Sequence, residues 1–274
     1  MSDWRPRLIV SDLDGTLLRS DETISDGTLA ELRRWADDGV PLVLATGRPP
    51  RWMLGVRDRL GGGSGLGGPA ICCNGAVLLD LDEFVVLHEH PLTPDVLQAI
   101  TGELRRRQPG TWFAVEYGDQ FRHEPIYRPR WDVNAPGVAE ATLAEMVVQP
   151  VAKLLARHED LSREEFVELV AEVVGDTATV TNSSSDALAE ISAAGVTKAT
   201  GLARVAAERG LGSADVVYFG DMPNDVAAFD WVRQGGGRAV AMAAAHPDVL
   251  AAATDVTDAN DADGVAAFLA SLRS

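Results

Sequence analysis

Short apolar runs alternate with amphipathic stretches along the first eighty residues of the chain. Leu8-Ile9-Val10 predicts a strand running to Asp12, because an unbroken apolar run bounded by polar residues suits a strand covered on both faces. Leu29, Leu32, Trp35 and Ala36 recur at helical spacing and predict a helix over about 26–38, closed by Gly39 in a common C-terminal glycine position. A second strand over 41–45 leads through Thr46-Gly47-Arg48 into a helix reaching about Leu60. The glycine-rich stretch 61–68 reads as a connection, since it lacks the Lys-Ser/Thr ending of a nucleotide loop. Residues 70–73 give a third strand, which Asn74-Gly75 turns into 76–79. The same rhythm resumes after about Glu190, with a helix over 197–209, a strand over 215–219, a helix from Pro223, a strand over 238–242 and a closing helix over 261–272. Buried strands alternating with helices predict an α/β fold, a doubly wound, Rossmann-like parallel sheet.

Between about 82 and 188 the pattern changes. Strands are expected over 84–89, 112–116, 120–123, 151–157 and 177–181, with helices over 94–107 and 162–174. Strands joined by short turns predict an inserted α+β domain over 82–188, dividing a core made of 1–81 and 189–274. Its aromatics concentrate in one window, Trp112, Phe113, Tyr117, Phe121, Tyr127 and Trp131. They suit either the core of a small domain or a substrate-facing wall.

Composition narrows the function classes. With 46% hydrophobic residues among 274, the chain can build a full core. A formal net charge of −17 argues against a nucleic-acid or anionic-membrane partner, because both depend on a basic footprint. No apolar run approaches the roughly 18–20 residues of a transmembrane helix, and the N-terminus has no secretory apolar region. Cys72 and Cys73 are adjacent within an apolar run and are read as buried and reduced, which fits a cytoplasmic protein. Only Lys153 and Lys198 among the 24 basic residues are lysines. A compact ammonium differs chemically from a guanidinium, so both stand out.

Four segments fall at the carboxyl ends of the expected core strands: Asp12-Leu13-Asp14-Gly15-Thr16, Thr46-Gly47-Arg48, the segment holding Lys198, and Gly220-Asp221-Met222-Pro223-Asn224-Asp225. Strand-end loops of an open α/β sheet converge on one crevice. Crowded acids such as Asp12 and Asp14 raise one another's pKa or demand a cation. Taken singly, each segment has an ordinary reading: an acidic turn, a threonine helix cap, a solvated lysine. Together they supply acids, a hydroxyl and an ammonium, the inventory that phosphoryl transfer uses for positioning and charge neutralisation.

These four segments, in this order, resemble the motifs of the haloacid dehalogenase superfamily. The Asn74-Gly75-Ala76 element and the long insert between Thr46 and Lys198 resemble its Cof-like sugar-phosphatase subgroup, which carries an α/β cap at that point. The resemblance covers nearly the whole chain, with specific motifs in the core and general architecture in the cap. It departs from the pattern at Ala199, where the subgroup usually has glycine, and at Ser11, where an aromatic or aliphatic residue is common. What the resemblance implies is a Mg²⁺-dependent phosphatase acting on a small phosphorylated metabolite, expected to be a sugar phosphate. Asp12 would be the nucleophile and Asp14 the general acid and base. Thr46, Gly47, Arg48, Lys198 and Asn224 would contact phosphate, although Arg48 also suits a salt bridge and Asn224 a supporting role in its loop. Asp221, with the Asp12 carboxylate and the Asp14 carbonyl, would bind the metal. Asp225 would be a further ligand or would fix Lys198. A phosphomutase and a non-catalytic phosphate-sensing module stay open as alternatives, and the oligomeric state is not read from the sequence.

Overall fold

The computed structural model describes residues 4–63, 65–127, 136–182 and 187–273. Two compact units divide the chain, one made of 1–48, 52–88 and 197–274, the other of 49–51 and 89–196.

In the first unit, among the described residues, eight strands form one sheet. Its order is Asp255–Val256, Arg238–Ala241, Val216–Gly220, Leu8–Ser11, Leu42–Ala45, Pro69–Cys72, Val77–Asp80 and Val85–Glu89. Pairing is parallel from Asp255–Val256 through Pro69–Cys72, and Val77–Asp80 then runs antiparallel. Leu8–Ser11 lies between Val216–Gly220 and Leu42–Ala45, so the chain winds away from it in both directions. That reversal is the switch point where such sheets open a crevice.

The central strands are buried along their whole length, which is why they read as apolar runs without alternation. Successive residues serve opposite faces. Tyr218 meets Phe229 edge-on at 5.6 Å beneath the helix Val226–Gly235, while its neighbour Phe219 meets Phe268 at 5.7 Å under Gly264–Ser271. The first face also packs the helix Lys198–Glu208 through Leu202 and Val205. The helix Asp26–Asp37 packs beside Gly264–Ser271 and buries Leu32 and Trp35. The doubly wound α/β class expected from the sequence is the class observed.

Among the described residues, the second unit holds a six-stranded sheet in the order Ala178–Thr181, Leu188–Ala193, Lys153–Arg157, Trp112–Tyr117, Gln120–His123 and Val138–Glu140. Its pairings are antiparallel except the last, which is parallel. Helices Pro94–Arg107 and Arg163–Val174 cover one face through Leu97, Leu104, Phe166 and Val170. Phe113 and Tyr117 belong to that helix-covered core, while Trp112, Phe121 and Tyr127 gather with Ala114 and Leu155 in a separate cluster. The aromatic window therefore divides between two clusters, and Trp131 lies outside the described residues.

Two differences from the sequence reading have a physical cause. The strand near 84–89 joins the edge of the first unit's sheet, and Leu188–Ala193 joins the second, so the units part later than 82 and 188. A short strand's apolar pattern says that it is paired but not with which sheet. The helix Pro247–Ala252 and the two-residue strand Asp255–Val256 were not expected, being too short to show a period.

Phe229 is fully buried against Tyr218, and shortening it to alanine leaves a cavity under the central sheet. Phe229→Ala is expected to lower stability by about 3–5 kcal/mol, read as a drop in the urea midpoint. An unchanged midpoint would show that the helix does not depend on that contact.

Candidate active site

The chemistry-bearing residues of the first unit meet at the carboxyl end of Leu8–Ser11 and Val216–Gly220. Asp12 directly follows the first of these strands, and its N–H still reaches the Phe219 carbonyl at 2.9 Å. Its side chain accepts the Leu13 N–H at 2.7 Å. The chain then bends through Gly15 at φ +73°, and a Cβ there would collide with the Asp221 carboxylate. Glycine thus meets both demands of this turn, left-handed backbone and close approach. Thr16 completes the turn by donating its hydroxyl to Asp221 at 3.1 Å.

Lys198 begins its helix behind the N-cap Thr197 and carries no exposed surface. Its Nζ lies 3.0 Å from Asp12 Oδ1 and 2.8 Å from Asp225 Oδ1. A buried ammonium is tolerated only when paired and hydrogen-bonded, and these carboxylates supply both conditions. Burial works against its charge, but Asp12 and then Asp225 outweigh it, so Lys198 is held protonated above the usual lysine range.

Asp225 is itself wholly enclosed. Oδ1 accepts from Lys198 and from the Tyr218 hydroxyl at 2.8 Å, and Oδ2 accepts the backbone N–H groups of Asp221 and Met222 at 3.1 Å each. Gly220 makes this possible, since a Cβ there would strike the Asp225 carboxyl. Burial, then the charges of Asp225 and Asp12, push the Tyr218 hydroxyl well above its ordinary pKa, so it stays a donor.

Asp12, Asp221 and Asp225 each place a carboxylate oxygen within 4.8 Å of the others. Three carboxylates face one ammonium, leaving two negative charges uncompensated. Burial first, then the charges of Asp225, Asp221 and Asp14, raise the Asp12 carboxyl well above the usual range despite Lys198. Burial and the Asp225 charge push Asp221 up to about 7 against the opposing effects of Lys198 and Thr16. Hard oxygen donors carrying surplus negative charge suit a divalent cation. The acidic cluster therefore fits a metal ion.

Thr46 follows Leu42–Ala45, is buried, and accepts the Arg48 N–H on its hydroxyl oxygen at 3.0 Å. The turn leaves the hydroxyl proton for another acceptor, with Gly47 between the two residues. Arg48 does not stand apart as a cation. Two guanidinium nitrogens, Nε and Nη2, engage the exposed Asp14 carboxylate, with Nε to Oδ2 at 2.8 Å, and Glu22 lies 3.8 Å away. Asn224, in the turn Pro223–Asp225, donates to Asn74 Oδ1 at 3.0 Å. The other lysine singled out by the sequence, Lys153, is buried in the second unit and pairs with Glu190 at 2.6 Å.

The structure thus gathers Asp12, Asp221, Asp225 and Lys198 directly, with Asn224 beside Asp225 and with Asp14 on the Arg48 guanidinium. Sequence reasoning missed Tyr218 and Thr16. Tyr218 sits in an apolar strand and looks like core packing. A hydroxyl placed seven residues before an acid on the same strand-turn unit is the only signal that could have raised it.

Residues 9–269 match the model of a family described as haloacid dehalogenase-like hydrolase. The chain is 28% identical over 274 residues to 5-amino-6-(5-phospho-D-ribitylamino)uracil phosphatase YitU of Bacillus subtilis, covering 97% of each protein. It is 27% identical over 275 residues to pyridoxal phosphate phosphatase YbhA of Escherichia coli, covering 96% of this chain and 97% of that one. A solved haloacid dehalogenase-like hydrolase from Bacteroides thetaiotaomicron aligns with a TM-score of 0.77 at 25% identity, covering 98% of this chain and 99% of that one.

Because Gly15 presses against Asp221, Gly15→Ala is expected to weaken divalent-cation binding about tenfold or more, the scale seen when support for a ligand is lost. Calorimetric titration of the variant with Mg²⁺ reads this directly. Wild-type affinity in a folded variant would mean that Asp221 need not be held by that turn.

Proposed function

The chain belongs to the haloacid dehalogenase-like hydrolases, with the inserted α/β unit of the Cof-like subgroup, and from that premise we propose that it is a Mg²⁺-dependent phosphatase of small phosphorylated metabolites. The observation that carries the reading is the ammonium of Lys198 shared between Asp12 and Asp225, with Asp221 close by. That arrangement supplies a nucleophile, a fixed positive charge and a cation site at one strand end.

Asp12, through its carboxylate, Asp14, through its backbone carbonyl, and Asp221 would hold the Mg²⁺. Asp225, whose four hydrogen bonds occupy both oxygens, supports the set by fixing Lys198. When bound, Mg²⁺ offsets the charge of the acids and of the phosphoryl group, which lets an anionic ester approach a chain of net charge −17.

In the first half-reaction a carboxylate oxygen of Asp12 attacks phosphorus, and the bond from phosphorus to the ester oxygen breaks. Asp14 gives a proton to the departing alcohol, leaving the phosphoryl group on Asp12 as an acyl phosphate. In the second, Asp14 takes a proton from water, the water oxygen attacks phosphorus, and the phosphorus bond to the Asp12 oxygen breaks. Inorganic phosphate leaves and both aspartates return to their starting states. Lys198 has a third N–H, and Thr46 has its hydroxyl proton, for the phosphoryl oxygens that do not transfer. Gly47 and Asn224 belong to the same phosphate-binding loops. Arg48 holds Asp14 in place before substrate arrives and exchanges that contact for phosphate on binding.

The inserted unit is assigned the choice of substrate. Sugar phosphates stand first as the class, and the relatives' named substrates, a ribitylamino-uracil phosphate and pyridoxal phosphate, extend the set to phosphate esters of molecules that carry a heterocycle. A phosphate-release screen over both kinds of ester, with and without Mg²⁺, tests the reading. Formation of an isomer without free phosphate would replace it by phosphomutase chemistry.

Asp12→Asn is expected to abolish turnover while the variant stays folded by circular dichroism, because an amide oxygen does not form the acyl phosphate. Phosphate release at the wild-type rate would remove Asp12 as nucleophile. Asp14→Asn should lower kcat by about 10²–10⁴-fold, the usual contribution of a positioned acid and base. Chelation of Mg²⁺ should silence the enzyme and re-addition restore it, and activity that survives exhaustive chelation would refute the cation assignment.

A further inference from the structure

The strand Pro69–Cys72 ends in the turn Cys73–Gly75, whose residues all adopt positive φ, at 49°, 56° and 110°. The left-handed region disfavours a Cβ, and asparagine tolerates it better than cysteine. Two such non-glycine residues in succession persist only where their surroundings determine the backbone. Those surroundings are loops of the proposed active site.

The Cys73 N–H reaches the Arg48 carbonyl and the Asn74 N–H reaches the Thr46 carbonyl, each at 3.0 Å. The turn thus grips both ends of Thr46-Gly47-Arg48. Gly75 packs on the backbone of Thr197, the cap of the Lys198 helix, so closely that a Cβ would overlap the Thr197 carbonyl. Gly201, one turn along that helix, lies against Ile71 and the Gly75 Cα with no space for a side chain. The Asn74 side chain is fully buried, and its Oδ1 accepts from Asn224 Nδ2 at 3.0 Å. Asn224 is the immediate neighbour of Asp225, and among the described residues its own Oδ1 is buried without a hydrogen-bond partner. The amide of Asn224 is therefore held through Nδ2.

We propose that Asn74 is a positioning residue, which through its amide contact to Asn224 and its backbone contact to Thr46 sets the spacing between the phosphate-binding threonine loop and the loop that carries Asp225, the partner of Lys198. This deepens the phosphatase reading and rests on it. Asn74 is assigned no direct contact with phosphate or cation. It sits where one side chain and one N–H join two loops that must close on the same phosphoryl group, and small displacements of such loops have large kinetic consequences.

The experiment uses the whole protein with Mg²⁺ and two probes, hydrolysis of p-nitrophenyl phosphate and calorimetric binding of inorganic phosphate. Asn74→Gly keeps the backbone free to adopt positive φ and removes the side chain with its amide. Asn74→Asp keeps an acceptor oxygen for Asn224. Asn74→Gly is expected to lower kcat about 10–100-fold and to weaken phosphate binding, with a thermal midpoint close to wild type. Asn74→Asp is expected to recover most of the loss. Combining Asn74→Gly with Asn224→Ala is expected to be no worse than the poorer single variant, because the two act through one contact. Wild-type kcat and phosphate affinity in Asn74→Gly, fully additive losses in the double variant, or losses that follow the thermal midpoint would each overturn the proposal. A wild-type protein that binds phosphate but does not hydrolyse the ester would overturn the phosphatase reading alone, with the double-variant cycle then read on phosphate affinity. A wild-type protein that does neither overturns both.

Discussion

An ammonium with no exposed surface survives only inside a shell of acceptors, and Lys198 has that shell in Asp12 and Asp225. Asp12 and Asp225 follow two strands of one sheet and Lys198 opens a helix, so the contact can form only if the sheet order brings Leu8–Ser11 beside Val216–Gly220. Removing the ammonium would leave buried acids without their counterpart, a loss of about 3–5 kcal/mol for pairs of this kind. Much of the local sequence follows from that constraint. Gly220 clears space for Asp225, Gly15 clears space for Asp221, and Tyr218 aims its hydroxyl into the same carboxylate.

How much of this could be read beforehand depended on whether a residue's role shows in its own neighbourhood. Asp12, Asp14 and Asp221 announce themselves because acids placed directly after apolar strands have no packing purpose. Lys198 was conspicuous because lysine is rare in this chain. Tyr218 and Thr16 were hidden, since a tyrosine in a buried strand and a threonine in a turn satisfy ordinary rules and their partners come from distant sequence. Arg48 shows the reverse limit, because a cation near phosphate-binding residues suits either a substrate contact or a salt bridge, and its acidic neighbours Asp14 and Glu22 are named by the fold alone.

The fold was legible in the same uneven way. Helix Pro94–Arg107 and the central strands were clear, having enough length to show a period or an unbroken apolar run. Sheet membership was not, because the short apolar run of Val85–Glu89 is indifferent to which neighbour supplies its hydrogen bonds. The boundary between the units moved with that strand. It is a tertiary fact, decided by pairing partners rather than by composition.

The saturation of Asp225 carries one more consequence, for chemoselectivity. Three aspartate carboxylates lie within 4.8 Å of one another, and an electrophilic phosphorus entering among them meets three nucleophiles of the same kind. Asp225 has both oxygens engaged by four donors, so its lone pairs are withdrawn from reaction, and Asp221 carries the Thr16 hydroxyl. In the proposed mechanism, enclosure and saturated oxygens together remove Asp225 as a competing site of esterification, and Asp221 is committed to the cation, which leaves Asp12 to carry the phosphoryl group.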